Sequence, residues 1–215
     1  PEAGVICHSQ LMVREGRRVG MVKFGPPDGH SGDLFDYWVR NGNTLPPSAA
    51  AVRRQSLGSV GGFSEDQNLA TVEDTDLWLR LAKNNKFVFL PDVLGEYHIH
   101  PNSSSGNVEL HLGGSLTLID RHWSSYRPNS RSLGDKIFIR HQKSNAYFGA
   151  ARQYQRAEDF KKPLAYFAKA LSLHPFHLRS VAAIGLLFAG KALGVKQSVR
   201  VTDALWRFGT GRKTD

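Results

Sequence analysis

The feature that most constrains this chain is a change of hydrophobic periodicity at the polar run Asn102-Ser103-Ser104-Ser105-Gly106-Asn107. Before it, short β-type runs alternate with turn signals; after it, apolar residues recur only at helical spacing. One continuous core of one type cannot satisfy both patterns. A mixed α/β part over residues 1–106 followed by an all-helical part over residues 107–215 is therefore expected. Charge divides in nearly the same place. Residues 1–110 hold 10 Lys+Arg and 13 Asp+Glu, net −3, whereas residues 111–215 hold 18 and 6, net +12. The basic second part calls for an anionic partner, or else for a solvated basic face. The single cysteine, Cys7, excludes an internal disulfide framework and fits a reducing compartment, so the expected location is the cytoplasm. No stretch approaches the roughly 18 apolar residues of a membrane span. The opening Pro1-Glu2-Ala3-Gly4 carries no signal-peptide pattern and no Met, which leads to the expectation of a piece of something longer.

In the first part, 4–7 and 19–24 read as short strands separated by the charged stretch 14–18. Leu34, Phe35 and Trp38 predict a short helix ending near Asn41-Gly42-Asn43. Pro46-Pro47 opens an extended piece over 48–52. A further helix is expected to begin at Thr71, with Thr71 and Asp74 spaced as a capping box and Glu73, Asp74 and Asp76 complementing the helix dipole. Its stripe is Leu77, Trp78, Leu81 and Ala82, with Arg80 and Lys83 facing out. Phe87 to Leu90 reads as a buried strand stopped by Pro91, and 93–99 as a second extended segment.

In the second part, Tyr147, Ala150, Ala151, Tyr154, Phe167, Ala170 and Pro175 resemble the spacing of one tetratricopeptide unit over about 145–175. Pro163 stands where that repeat usually has a small residue, which the first turn of a helix tolerates. A helical hairpin is implied, not a peptide-binding array, because no second clear copy is present.

Four elements in order over 48–105 carry the most specific signal. They are Ser48-Ala49-Ala50-Ala51-Val52-Arg53-Arg54, Gly61-Gly62-Phe63, Glu73-Asp74-Thr75-Asp76-Leu77-Trp78 and Tyr97-His98-Ile99-His100 before a Ser-rich run. They resemble the acceptor-side half of family 2 glycosyltransferases, which have the GT-A fold. The resemblance implies an incomplete GT-A-type domain with a mixed sheet and helices. It also implies an inverting enzyme that moves a sugar from a nucleotide-diphosphate donor to a hydroxyl of a glycan or lipid-linked acceptor. Asp74 matches the family's catalytic base and Glu73 its companion. Gly61 and Gly62 match a loop that lets backbone approach donor or acceptor. His100 matches a metal-ligand histidine, with His98 a weaker candidate. Ser48, Arg53 and Trp78 fall on the acceptor side. The implied cofactor is a divalent cation, Mg2+ or Mn2+, bound together with the donor.

Each assignment has a plainer competitor: acidic residues that cap a helix, histidines satisfied structurally, glycines in an ordinary turn. Asp74-Thr75-Asp76 spells a D-x-D, yet it overlaps the head of a helix. The family's metal-binding D-x-D ends a strand in the nucleotide-binding half, so that role is not transferred to it. The donor half itself is not recognisable, and the chain alone is expected to be inactive, a fragment or a degenerate homologue. The basic tail, with Leu186, Leu187 and Phe188 near Lys191, is compatible with an anionic membrane surface and peripheral attachment there, or with a buried core helix. The alternative function is a catalytically inactive helical interaction module. Nucleic acid is disfavoured as a partner, since no recognisable binding motif accompanies the charge.

Overall fold

The computed structural model describes residues 2–27, 32–43, 45–99, 107–126, 132–156 and 161–192. The chain is mixed α/β and divides into two compact units, one ending at His122 and the other beginning at Trp123.

The first unit is organised around β1 (Ala3–Arg14). β4 (Lys86–Ile99) runs parallel to it along one edge, from Ala3 opposite Lys86 to Arg14 opposite Ile99. The other edge is shared by two antiparallel strands, β3 (Ala50–Val52) against Val5 to Cys7 and β2 (Arg17–Val22) against Gln10 to Arg14. β1 is longer than its apolar run predicts because polar residues continue it inside the sheet. Ser9 and Gln10 are buried, and Gln10 Nε2 donates to Ser48 Oγ at 3.2 Å. The β1–β2 hairpin closes on Glu15 and Gly16, both at positive φ (50° and 73°), as a two-residue type I′ turn requires.

Pro91 does not stop a strand. Cys7 faces Phe89 and Ser9 faces Val93, so β4 carries extra residues at this point and the proline lies in the resulting bulge. A residue without an N–H removes no ladder hydrogen bond there. The expected pair of segments is one strand. The piece after Pro46 also differs: Pro47–Ala49 form a 3-10 turn before β3 begins at Ala50.

Helix α1 (Leu34–Asn41) starts at Asp33, whose Oδ1 accepts from the Phe35 amide (2.8 Å), and ends at Gly42 with φ 79°. It buries Phe35 and Trp38. The Trp38 ring meets Phe87 edge-on at 5.0 Å, and Trp78 meets the same phenylalanine at 6.5 Å. These aromatics, with Leu69, Leu77 and Leu81, form the core beneath the sheet. α2 (Arg54–Ser59) follows β3, and α3 (Glu73–Ala82) follows the loop through Gly61-Gly62. α4 (Val108–Tyr126) contributes its residues through His122 to this unit. The expected boundary at 106/107 thus precedes the division, because α4 side chains engage α3 and the loop before it.

In the second unit, α5 (Leu133–Arg156) and α6 (Lys161–Leu173) are antiparallel. Arg140 donates to Leu173 O, Ser144 to Ala170 O, Phe148 meets Phe167, and Lys162 reaches Tyr154, so residue numbers fall on one helix as they rise on the other. α7 (Leu178–Ala192) adds Ala183 and Leu187 to a core of Phe148, Ala151, Phe167 and Ala170. Buried Pro163 sits at the third position of α6, where a missing N–H costs no intrahelical bond. Among the described residues no helix is long and apolar enough to cross a membrane.

Candidate active site

The residues at the head of α3 sort into two carboxylates with opposite environments. Asp76 is fully buried. Its Oδ1 lies 2.8 Å from His122 Nε2, and its Oδ2 accepts from Arg80 Nε at 2.8 Å. Burial acts to raise its pKa, but the bonds from His122 and Arg80 and the Arg80 charge outweigh it and hold the carboxylate below its ordinary value. Both oxygens are engaged by the protein, which makes Asp76 a structural anion.

Arg80 extends this anchor to the glycine loop. Its Nη1 donates to Val60 O (2.6 Å) and its Nη2 to Gly62 O (2.8 Å). The expectation that Arg80 faces solvent is therefore corrected: its fork is used on one carboxylate and two carbonyls. Gly61 and Gly62 sit at φ 75° and 73°, and a Cβ on either would meet open space. Their requirement is conformational, since two consecutive left-handed residues follow α2, and no neighbouring group of the described fold crowds them. Phe63, the next residue, leaves its ring half exposed. Arg121 of α4 closes the far side by bonding Asp66 and Ser64.

At Asp74 the balance goes the other way. Burial pushes its carboxyl above the ordinary value, the Thr75 amide opposes that by donating to Oδ1, and the adjacent Glu73 charge adds to the rise. The expected capping box is not formed. Thr71 has φ 73°, and its hydroxyl lies 3.1 Å from His111 Nδ1; the N-cap position belongs to Val72, which has no side-chain acceptor. Asp74 Oδ1 turns to the next residue instead. Glu73 Oε2 is buried with no hydrogen-bond partner among the described residues. His111 acts on Asp74 electrostatically in the opposite sense to Glu73, favouring the carboxylate. His111 and His122 escaped the sequence reading because they lie on α4, far along the chain from α3. Their only signal is that both fall within a helix, three residues after its start and four before its end.

The remaining predicted residues are placed as follows. Trp78 is 2% exposed, and its indole N–H donates to Leu45 O at 2.8 Å, so it builds the core and offers no face to an acceptor. Ser48 is exposed and accepts from Gln10. Arg53 is exposed at the start of α2, with Nε donating to Ala3 O at 3.2 Å. His98 is exposed on β4 and lies 3.1 Å from Glu96 Oε2 on the same strand face. His100 lies outside the described residues. Among the described residues no group of three or more His, Cys, Asp or Glu is arranged to hold a metal ion. The His98–Glu96 pair does not make a cation site by itself.

No protein-family model, curated protein or solved structure matches the chain.

Proposed function

We propose that this chain carries the acceptor-side machinery of an inverting glycosyltransferase of the GT-A type, with Asp74 as the base. One observation supports the reading above all: two carboxylates separated by one residue are shifted in opposite directions from the ordinary value. Asp76 is held ionised and fully coordinated, while Asp74 is kept more basic, beside a second carboxylate with a buried unsatisfied oxygen. Such splitting of paired titratable groups accompanies assigned acid–base roles.

In the proposed reaction the acceptor hydroxyl oxygen forms a bond to the anomeric carbon from the face opposite the leaving group. The nucleoside diphosphate departs with the bonding electron pair, and the hydroxyl proton passes to an Asp74 carboxylate oxygen. Glu73 Oε2, lacking a donor of its own, accepts a second hydroxyl of the acceptor and orients it. The Arg80–Asp76 anchor keeps the Gly61-Gly62-Phe63 loop in one conformation, with the Phe63 ring exposed to a sugar face. On this reading the donor and its cation would be held by a nucleotide-binding half.

The reading is tested with the full-length gene product, a panel of labelled nucleotide-diphosphate sugars and glycan or lipid-extract acceptors. Transfer with inverted anomeric configuration, followed by NMR of the product, is expected. Retained configuration, or no transfer from any donor in the panel, counts against it.

A further inference from the structure

α7 presents apolar residues on its buried side and again on the side opposite. Ser180, Ala183 and Leu187 are buried, with Ile184 packed beside them. On the opposite side of the same helix Leu178 is 76% exposed and Val181 52%, with Ala182, Gly185 and Ala189 exposed between them. Phe176, in the turn before α7, is 83% exposed. Of the residues expected to reach a surface, Leu187 belongs to the core and Leu186 is half-buried, whereas Phe188 is exposed, as are Phe176, Leu178 and Val181. A helix that is apolar on two opposite sides is otherwise found inside a large core or against lipid.

The charge of this helix pair selects between possible occupants. The sequences of α6 and α7 contain Lys161, Lys162, Lys169, Arg179 and Lys191 and no Asp or Glu. Two copies meeting through two helices that carry only positive charge would repel one another, and such helices attract anions. At 15 residues α7 is too short to span a bilayer, so it would lie in the interface plane.

We infer that the outer face of α7, with Phe176, docks this unit on an anionic lipid surface. The apolar side chains enter the headgroup–acyl boundary while Arg179, exposed next to Leu178 on the same helix, meets lipid phosphates. The inference does not depend on the catalytic reading of Asp74.

The test is co-sedimentation of the chain with phosphatidylcholine vesicles, with and without phosphatidylglycerol, at low and high salt. Wild type should bind the anionic vesicles about tenfold or more tightly than the neutral ones, and high salt should weaken that binding. The double variant Phe176→Asp, Leu178→Asp should lose vesicle binding while its circular dichroism and thermal midpoint stay unchanged. Three results would overturn the inference. One is absent binding, or equal binding of wild type and variant. Another is a lipid-free oligomer of the wild type that the variant abolishes, which would assign the face to a second copy. A lower thermal midpoint of the variant without lipid would mean that the protein itself covers the face.

Discussion

Asp76 Oδ2 accepts the Nε–H of Arg80 at 2.8 Å, one turn apart on α3, and the rest of that guanidinium holds the carbonyls of Val60 and Gly62. The ion pair thereby fixes a loop that has no helix or strand of its own. Replacing Arg80 by Leu removes three charge-assisted bonds while His122 stays on Asp76. The expected cost is about 2–3 kcal/mol in urea unfolding, with faster amide exchange at Gly61 to Phe63. Arg80→Lys should recover only part of it, because an ammonium cannot reproduce the planar fork. Unchanged exchange in the loop for Arg80→Leu would mean the anchor is incidental.

Gly62→Ala tests whether the glycine loop is selected by conformation. A Cβ at this position meets nothing within 4 Å, yet φ is 73°. The substitution should destabilise by about 1–2 kcal/mol through backbone strain alone. A neutral result would show that the loop readily adopts another conformation.

His177 gives the helical unit a pH dependence of definite sign. It is 4% exposed, with Nδ1 2.8 Å from Ser180 Oγ and Nε2 3.0 Å from Asn145 Oδ1. A neutral ring satisfies both neighbours, accepting from the serine hydroxyl and donating to the asparagine carbonyl. Burial first, then the charges of His141, His174 and Arg179, lower its pKa from 6.5 to about 4. The folded state therefore binds fewer protons than the unfolded chain between those values. Its stabilising effect is complete above pH 6.5 and is lost as pH falls toward 4, by about 3 kcal/mol in total. Urea midpoints measured across that window should fall with acidity for wild type, and fall less for His177→Asn. The same slope in both would place the titration elsewhere.

Much of this architecture is legible in the sequence, for physical reasons that also explain the failures. Leu34, Phe35, Trp38 and Gly42 mark α1 because stripe and stop are both local, whereas the Asp33 cap shows only in the structure. The stripe of α3 is equally plain in Leu77, Trp78, Leu81 and Ala82. What fails depends on contacts distant in sequence. Thr71 looks like a cap until His111, 40 residues later, takes its hydroxyl. Arg80 looks solvent-facing until the Val60 and Gly62 carbonyls are seen beside it. Trp78 could have been an acceptor-side residue or a core ring, and its burial with the bond to the Leu45 carbonyl distinguishes them. Pro91 reads as a strand end because a bulge leaves no trace in one strand's own residues. At the site, the Glu73-Asp74-Thr75-Asp76 run shows that carboxylates cluster, but not that Asp76 is buried under His122 and Arg80 while Asp74 is left more basic.

The central claim is that Asp74 does chemistry and Asp76 does not. Asp74→Asn keeps an acceptor for the Thr75 amide and removes a charge that burial disfavours, so at neutral pH the fold should be as stable or slightly more so. The direct measurement is sugar transfer by the full-length Asp74→Asn protein, set beside its urea midpoint. A rate reduced by about a hundredfold or more with an unchanged or higher midpoint is the predicted result. Transfer at the wild-type rate would contradict it.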